Sequence, residues 1–183
     1  MGWKRCHLGD IVVVNPSTGT LPIEFYYMDL ESVSEGVWEK RTLVQREDAP
    51  SRAQRNVVLG DILFQTVRPY QQNNYFIESE LDKPIVASTG YAQIRTSEVP
   101  LFVYWMLHSQ SFLREVLSRC TGSSYPAVNA SDLEEIDISV PGRVEQIHYA
   151  TLLAQIAKRC EIEIAIDVLL EELKRGLLQA LFV

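Results

Sequence analysis

The sequence predicts an α+β chain: a strand-rich domain to about residue 142, then one long C-terminal helix. Three observations carry this. Short β-prone runs separated by turn residues fill the chain up to Thr96. Phe102, Val103, Met106, Leu107, Phe112, Leu113 and Val116 then recur at helical spacing. From Arg143 to Phe182 there is no proline and only Gly176 among residues rich in Leu, Ile, Ala, Glu, Lys and Arg. At 1.5 Å per residue that last stretch makes a rod roughly 60 Å long, too long to bury in a domain of this size.

The elements follow in order. Leu8-Gly9-Asp10 is a turn into a buried strand, Ile11 to Val14. Asn15 to Pro22 reads as a loop from its Pro, Gly and hydroxyl content, and the aromatic run Ile23 to Leu30 as a strand. Val37 to Arg52 is polar and irregular. Gly60-Asp61 feeds a core strand, Ile62 to Phe64, which ends at Val67-Arg68-Pro69-Tyr70 before the polar loop Gln71 to Asn74. Tyr75 to Ile77, Pro84 to Ala87 and Ala92 to Thr96 are short strands, with a turn at Ser88-Thr89-Gly90-Tyr91. The helix starting near Pro100 is interrupted near Ser109 to Ser111. Gly122 to Asn129 is a loop, Ser131 with Glu134 fits a capping box, and Ile136 to Val140 alternates as a strand. Pro141-Gly142 is the hinge before the rod.

The rod carries a coiled-coil seam. Ile162, Ile166, Leu169, Leu173 and, past Gly176, Ala180 recur in steps of four and three. An earlier stripe, Ile147, Ala150, Ala154 and Ala157, has similar spacing but falls out of phase near Arg159, which a straight helix or a stutter absorbs. A projecting helix must bury such a seam on a partner, and a dimerisation or docking role is favoured over a tail folded back on its own domain.

Composition narrows the function. The 46% hydrophobic and 22% charged content is that of a globular protein. No apolar run reaches membrane-spanning length, and the three unpaired-looking cysteines, Cys6, Cys120 and Cys160, point to a reducing, cytoplasmic setting without structural zinc. His7, His108 and His148 lack metal-ligand spacing, and there is no Gly-rich phosphate loop and no visible nucleophile–base pair. A self-contained enzyme, a metal and a bound cofactor are not expected. The net charge of −7 leaves −6 on the first 142 residues, a poor prior for nucleic acid. Between Lys40 and Arg68, however, six basic residues face three acidic ones. Arg pairs with guanine edges, Asn and Gln with adenine, and hydroxyls with phosphate. The candidate DNA contacts are Arg41, Arg46, Arg52, Arg55, Arg68, Tyr70, Gln71, Asn73, Ser88, Thr89, Ser123, Ser124, Tyr125 and Asn129, provided their loops converge.

Several short stretches, in order, resemble one family. They are Leu8-Gly9-Asp10-Ile11; Tyr27-Met28-Asp29-Leu30; Gly60-Asp61-Ile62-Leu63-Phe64 with Val67-Arg68-Pro69-Tyr70; Ala87-Ser88-Thr89-Gly90-Tyr91; Tyr125-Pro126-Ala127-Val128-Asn129; and Glu145-Gln146-Ile147. The chain is similar to the specificity subunit of type I restriction-modification systems. That resemblance implies a target recognition domain (1–142) reading one half of a split double-stranded DNA sequence. It implies a spacer helix (143–183) that pairs antiparallel with a second such helix and docks modification subunits, with a restriction subunit as a further candidate partner. S-adenosylmethionine and adenine methylation would belong to those partners. The family pattern has two recognition domains and two spacer helices; this chain has one of each, as a natural half-subunit or a fragment of a longer one would, and for a half-subunit a homodimer on a split palindrome is expected. The competing expectation is an interaction or decoy module that binds modification subunits without useful DNA affinity.

Overall fold

The computed structural model describes residues 2–17 and 19–182; Thr18, within the predicted Asn15–Pro22 loop, lies outside the described residues. Twelve strands and four α-helices are assigned among them: β1 (Lys4–His7), β2 (Val12–Val14), β3 (Glu24–Met28), β4 (Val33–Ser34), β5 (Val37–Trp38), β6 (Thr42–Gln45), β7 (Ala53–Val57), β8 (Ile62–Gln65), β9 (Tyr75–Phe76), β10 (Ile85–Ser88), β11 (Tyr91–Thr96), α1 (Pro100–Leu107), α2 (Gln110–Arg119), α3 (Ala130–Glu134), β12 (Asp137–Val140) and α4 (Arg143–Phe182). The α+β prediction holds, and the long helix has the predicted limits.

Two four-stranded sheets form the body, in the orders β6-β3-β10-β7 and β2-β11-β8-β9. Among the described residues only β3 and β10 pair in parallel; the other ladders are antiparallel. The turn after β10 carries the chain from the first sheet to the second. Gly90 sits there against Leu30, where an added Cβ would lie 2.9 Å from a Leu30 methyl, so a side chain would displace the turn. One core joins the second sheet to α1, α2, α3 and the root of α4 through Leu8, Ile62, Phe64, Ile94, Val103, Leu107, Phe112, Val116, Leu133 and Ile136. A smaller cluster around Met28, Trp38, Leu63, Ile85 and Tyr91 lies between the sheets and the β4–β5 hairpin.

Two strands arise where the sequence reads as irregular. β5 is anchored by buried Trp38, whose ring meets Tyr26 and Tyr75 edge-on. β6 is an edge strand paired only to β3, so its mostly exposed Thr42, Leu43, Val44 and Gln45 show no clear alternation. The ribbon β1–β12 joins the two ends of the domain; of its strands only β12 is expected from the sequence pattern. The interruption between α1 and α2 has a local cause: Ser109 caps α2, its Oγ accepting from the Phe112 N–H at 3.2 Å. The Ser131–Glu134 capping box does not form. α3 starts at Ala130 with Asn129 at the cap position, two residues before Ser131, and the Asn129 amide donates to Asp132 at 3.2 Å.

The signature Asp61 is a buried carboxylate. It accepts from the Val58 N–H (2.9 Å), the Gln93 amide (2.7 Å) and two nitrogens of Arg95 (both 2.8 Å). Arg95 is partly exposed, so the ion pair itself is weakened by solvent, but Gln93 is fully buried. Removing the acceptor strands a buried amide N–H. Asp61→Ala is expected to destabilise the domain by about 2–3 kcal/mol, read as a lower urea midpoint at unchanged slope.

The helix does not begin as a free rod. Gln146 is buried at its root, its Oε1 accepting from the Val99 N–H (3.1 Å) and its amide donating to Glu98 (2.8 Å) and the Pro141 carbonyl (3.0 Å). Ala150 is buried one turn on, in the main core. From Lys158 to Phe182 every residue is exposed.

Candidate nucleic-acid interface

Backbone hydrogen bonds draw the predicted loops together. The Arg68 N–H donates to the Pro126 carbonyl at 2.7 Å and the Val128 N–H to the Thr66 carbonyl at 3.1 Å, with a β-bridge between Val67 and Ala127. Thr66 in turn donates twice to the Gly90 carbonyl, from N–H (3.0 Å) and Oγ1 (2.8 Å). The Thr89 N–H donates to the Arg52 carbonyl at 2.9 Å. Segments around residues 52, 66–74, 88–90 and 121–128 therefore form one continuous surface from distant parts of the chain.

Arg68 and Tyr125 are its most distinctive pair. The Arg68 guanidinium lies 4.4 Å from the centroid of the exposed Tyr125 ring. Among the described residues that guanidinium makes no hydrogen bond or ion pair; Arg68 is half-buried and its Nε is enclosed without a partner, so a stacked, oriented cation is left with uncommitted donors. Its backbone is held at φ +54°, and Gln72, on the other side of the Pro69–Gln71 turn, at φ +51°. Two non-glycine residues in the left-handed region cost energy that surrounding contacts must offset.

Those contacts come from a polar network that the sequence reading missed. Buried Gln65 donates its N–H to Asn74 Oδ1 (2.8 Å) and its amide to the Val67 carbonyl and Gln71 Oε1 (both 2.8 Å), while its own Oε1 accepts from the Asn73 N–H (3.0 Å). Asn74 Nδ2 lies 3.2 Å from His108 Nε2, and His108 Nδ1 lies 2.8 Å from the Tyr104 carbonyl. The carbonyl requires a proton on Nδ1, so Nε2 is the acceptor and the ring is neutral. The run of four amides, Gln71 to Asn74, was the available signal: it exceeds what a turn requires.

Burial holds the His108 pKa below its usual 6.5. As pH falls through 6.5 the unfolded chain takes up a proton that the native ring does not, so native stability falls until the lowered pKa is reached. Thermal unfolding is expected at lower temperature at pH 5 than at pH 7.5, with part of that difference removed in His108→Gln.

The other candidates separate by environment. Arg52, Tyr70, Gln71, Ser123 and Ser124 are exposed on or beside the joined loops, and Asn129 is exposed at the start of α3. Thr89 is half-buried. Asn73 is committed to the hairpin, its Oδ1 accepting from the Glu35 N–H at 3.2 Å. Arg41 stacks on Trp38, 5.4 Å from the ring centroid. Arg46 is exposed but its Nε donates to the Pro22 carbonyl at 3.2 Å, outside the joined loops. Arg55 is half-buried, and desolvation lowers its pKa. Ser88 is a correction. It is buried in β10 with its Oγ accepting from the Gly90 N–H at 3.2 Å, so it shapes the turn and cannot meet a duplex in this conformation.

The helix needs a correction too. Ala150 is enclosed by its own domain and belongs to no outward seam; Ala154, one turn further on the same stripe, is half-buried. The early stripe is thus the face that packs homeward, which explains the phase change near Arg159. Ile147, on that stripe, is half exposed. The outward seam, Ile162, Ile166, Leu169, Leu173 and Ala180, is exposed, and Leu152, also exposed, lies on the same heptad line upstream.

Relatives share this architecture. A solved HsdS subunit from Thermoanaerobacter tengcongensis is 26% identical, covering 98% of this chain and 48% of that one with a TM-score of 0.76. The resemblance to type I specificity subunits holds over the whole chain. A chain solved in work on complex assembly and conformational transition of the type I restriction-modification system matches at 25% identity and TM-score 0.77, over 99% of this chain and 49% of that one. The HindI specificity subunit of Haemophilus influenzae is 21% identical over 99% of this chain and 41% of its own. The type I S subunit of M. genitalium, 14% identical with a TM-score of 0.60, shares the fold. No protein-family model matches the chain. This chain spans about half the length of each of these relatives. Among the described residues, no helix is long and apolar enough to cross a membrane.

Proposed function

We propose that this chain is a DNA sequence-recognition subunit of a type I restriction-modification system, without catalysis of its own and acting in the cytoplasm. The observation that carries the proposal is the joined-loop surface, with the uncommitted Arg68 guanidinium stacked on exposed Tyr125, in a chain similar throughout to specificity subunits. Arg68 suits a bidentate grip on guanine or a phosphate, and Arg52, Gln71, Ser123 and Ser124 surround it with donors. The domain, 1–142 with the first turns of α4, reads one half-site. The rest of α4 pairs antiparallel with the same helix of a second copy, and modification subunits dock on that pair. S-adenosylmethionine and the base extraction that methylation requires belong to those subunits.

Two-fold symmetry makes the target a split palindrome. A helix of roughly 60 Å spaces the two heads by less than two turns of duplex, each about 34–36 Å. The acidic balance of the chain implies modest affinity on its own, with partner subunits supplying part of the phosphate contact. Gel shifts with and without the modification subunit, over a salt series, test the reading. Sequence-selective binding with a steep salt dependence is expected. Assembly with the modification subunit, but no selective binding at any salt, would make the chain a decoy instead.

A further inference from the structure

We propose that Gln146 fixes the angle between the recognition domain and α4, and so the single spacing at which two paired copies accept their half-sites. This rests on the recognition and pairing proposed above and names the residue that sets their geometry. Pro141-Gly142 is the pivot between domain and helix. Gly142 is exposed, with nothing closer than 3.7 Å to where a Cβ would lie, so its backbone alone does not hold a direction. Gln146, one turn on and 1% exposed, ties the two sides of the pivot together. Its amide donates back to the Pro141 carbonyl (3.0 Å) and across to the Glu98 carboxylate (2.8 Å), while its Oε1 accepts from the Val99 N–H (3.1 Å). Val99 is the residue at which α1 begins. One enclosed side chain thus joins the hinge, the first turn of α4 and the start of α1, with its amide donors and its carbonyl oxygen all in use.

The other contacts at the root act differently. Ala150 and the Tyr149 ring, 6.0 Å from that of Trp3, pack by apolar contact, which has no preferred direction. Arg143 donates to the Ser97 carbonyl at 3.0 Å but is exposed, so water competes for it. Hydrogen bonds to a buried group are directional, and leaving them unmade is costly. From Lys158 to Phe182 the helix is exposed, so its course relative to the domain is decided at this root. The consequence at the duplex is large. A domain of this size has a radius of gyration of about 14 Å, which sets its loops roughly 20 Å from the pivot. A tilt of about 10° then carries them about 3.4 Å, one base step. A helix root free to tilt accepts neighbouring spacings; a fixed one accepts one.

Distances within the chain and a selection of target spacings test this. Gln146→Glu keeps the acceptor for the Val99 N–H but sets a carboxylate against Glu98 and the Pro141 carbonyl. Glu98→Gln in addition returns a donor to that contact. Spin labels on Cys160, which is exposed, and on Glu47→Cys, with Cys6→Ser and Cys120→Ser, report the distance from domain to helix. The labelled chain is diluted in unlabelled chain, so the distance is read within one copy whether or not copies pair. A narrow distribution is expected for the wild-type chain, a broader one for Gln146→Glu, and a return towards the narrow one with Glu98→Gln. With modification subunit and a randomised duplex library, the wild-type chain is expected to select its half-sites at one spacing. Gln146→Glu is expected to select the same half-site sequences at spacings one base pair longer and shorter as well. A purely stabilising role would lower recovery without moving the spacing. If the charge unfolds the domain, Gln146→Met, neutral and of similar volume, is expected to give the same two changes. An unchanged distance distribution, or a single retained spacing, in a folded variant overturns the role of Gln146 and leaves recognition intact. A wild-type chain that selects no half-site overturns the recognition reading instead, and the spacing claim with it.

Discussion

Leu169→Glu with Leu173→Glu is expected to separate the proposed dimer into monomers and to abolish cooperative binding to a split palindrome. Both leucines are more than half exposed in the single chain, so their replacement costs the isolated fold little. In the proposed pair each would be buried, and burying a leucine contributes about 1.5–3 kcal/mol. Four are lost per dimer, and four carboxylates enter the seam. The expected dissociation constant rises by about four orders of magnitude or more. With two heads no longer linked, binding to a two-site duplex drops by about 10²–10⁴-fold. Thermal unfolding should be nearly unchanged, which distinguishes a lost partner from a lost fold. Weakened DNA binding with an intact dimer would place these leucines elsewhere in the mechanism.

Arg68→Ala is expected to have the largest effect on recognition of any single substitution in the domain. A guanidinium pre-stacked on an aromatic ring loses little freedom when it meets its target, and one bidentate contact is worth about 1–3 kcal/mol. In a symmetric dimer it counts twice, for a loss of roughly 30- to 10⁴-fold. Tyr125→Ala should lose less, and the two together less than the sum, because Tyr125 acts by orienting Arg68. Salt dependence separates two roles. If Arg68 grips a base, selectivity collapses at one position of each half-site and the salt slope is unchanged; if it grips phosphate, the slope falls by about one per head. Arg46→Ala, outside the joined loops, should change affinity by no more than about threefold. Equal losses at Arg46 and Arg68 would show that general charge, and not this surface, carries binding.

Local patterns in the sequence foretold much of this architecture. The limits of α4 were readable because forty residues without proline carry a helical period. The core strands β8 and β10 were readable as apolar runs between turn residues. β6 was not, since an edge strand half in water needs no alternation. The phase break near Arg159 was visible, but its cause was not: only the packed domain shows that Ala150 faces inward while Leu152 faces out. The loop residues could be named from their chemistry, yet their convergence depends on pairs such as Arg68 with Pro126 and Thr89 with Arg52, far apart in sequence. Ser88 was misread for the same reason. Its polar type suggested solvent, while the turn that buries it is set by Gly90 against Leu30.

The mass of the intact chain in solution bears most directly on the account. Sedimentation equilibrium at micromolar concentration should give twice the 20.9 kDa chain mass, with the equilibrium abolished by charge at Leu169 and Leu173. A particle of single-chain mass over the whole accessible concentration range would contradict it.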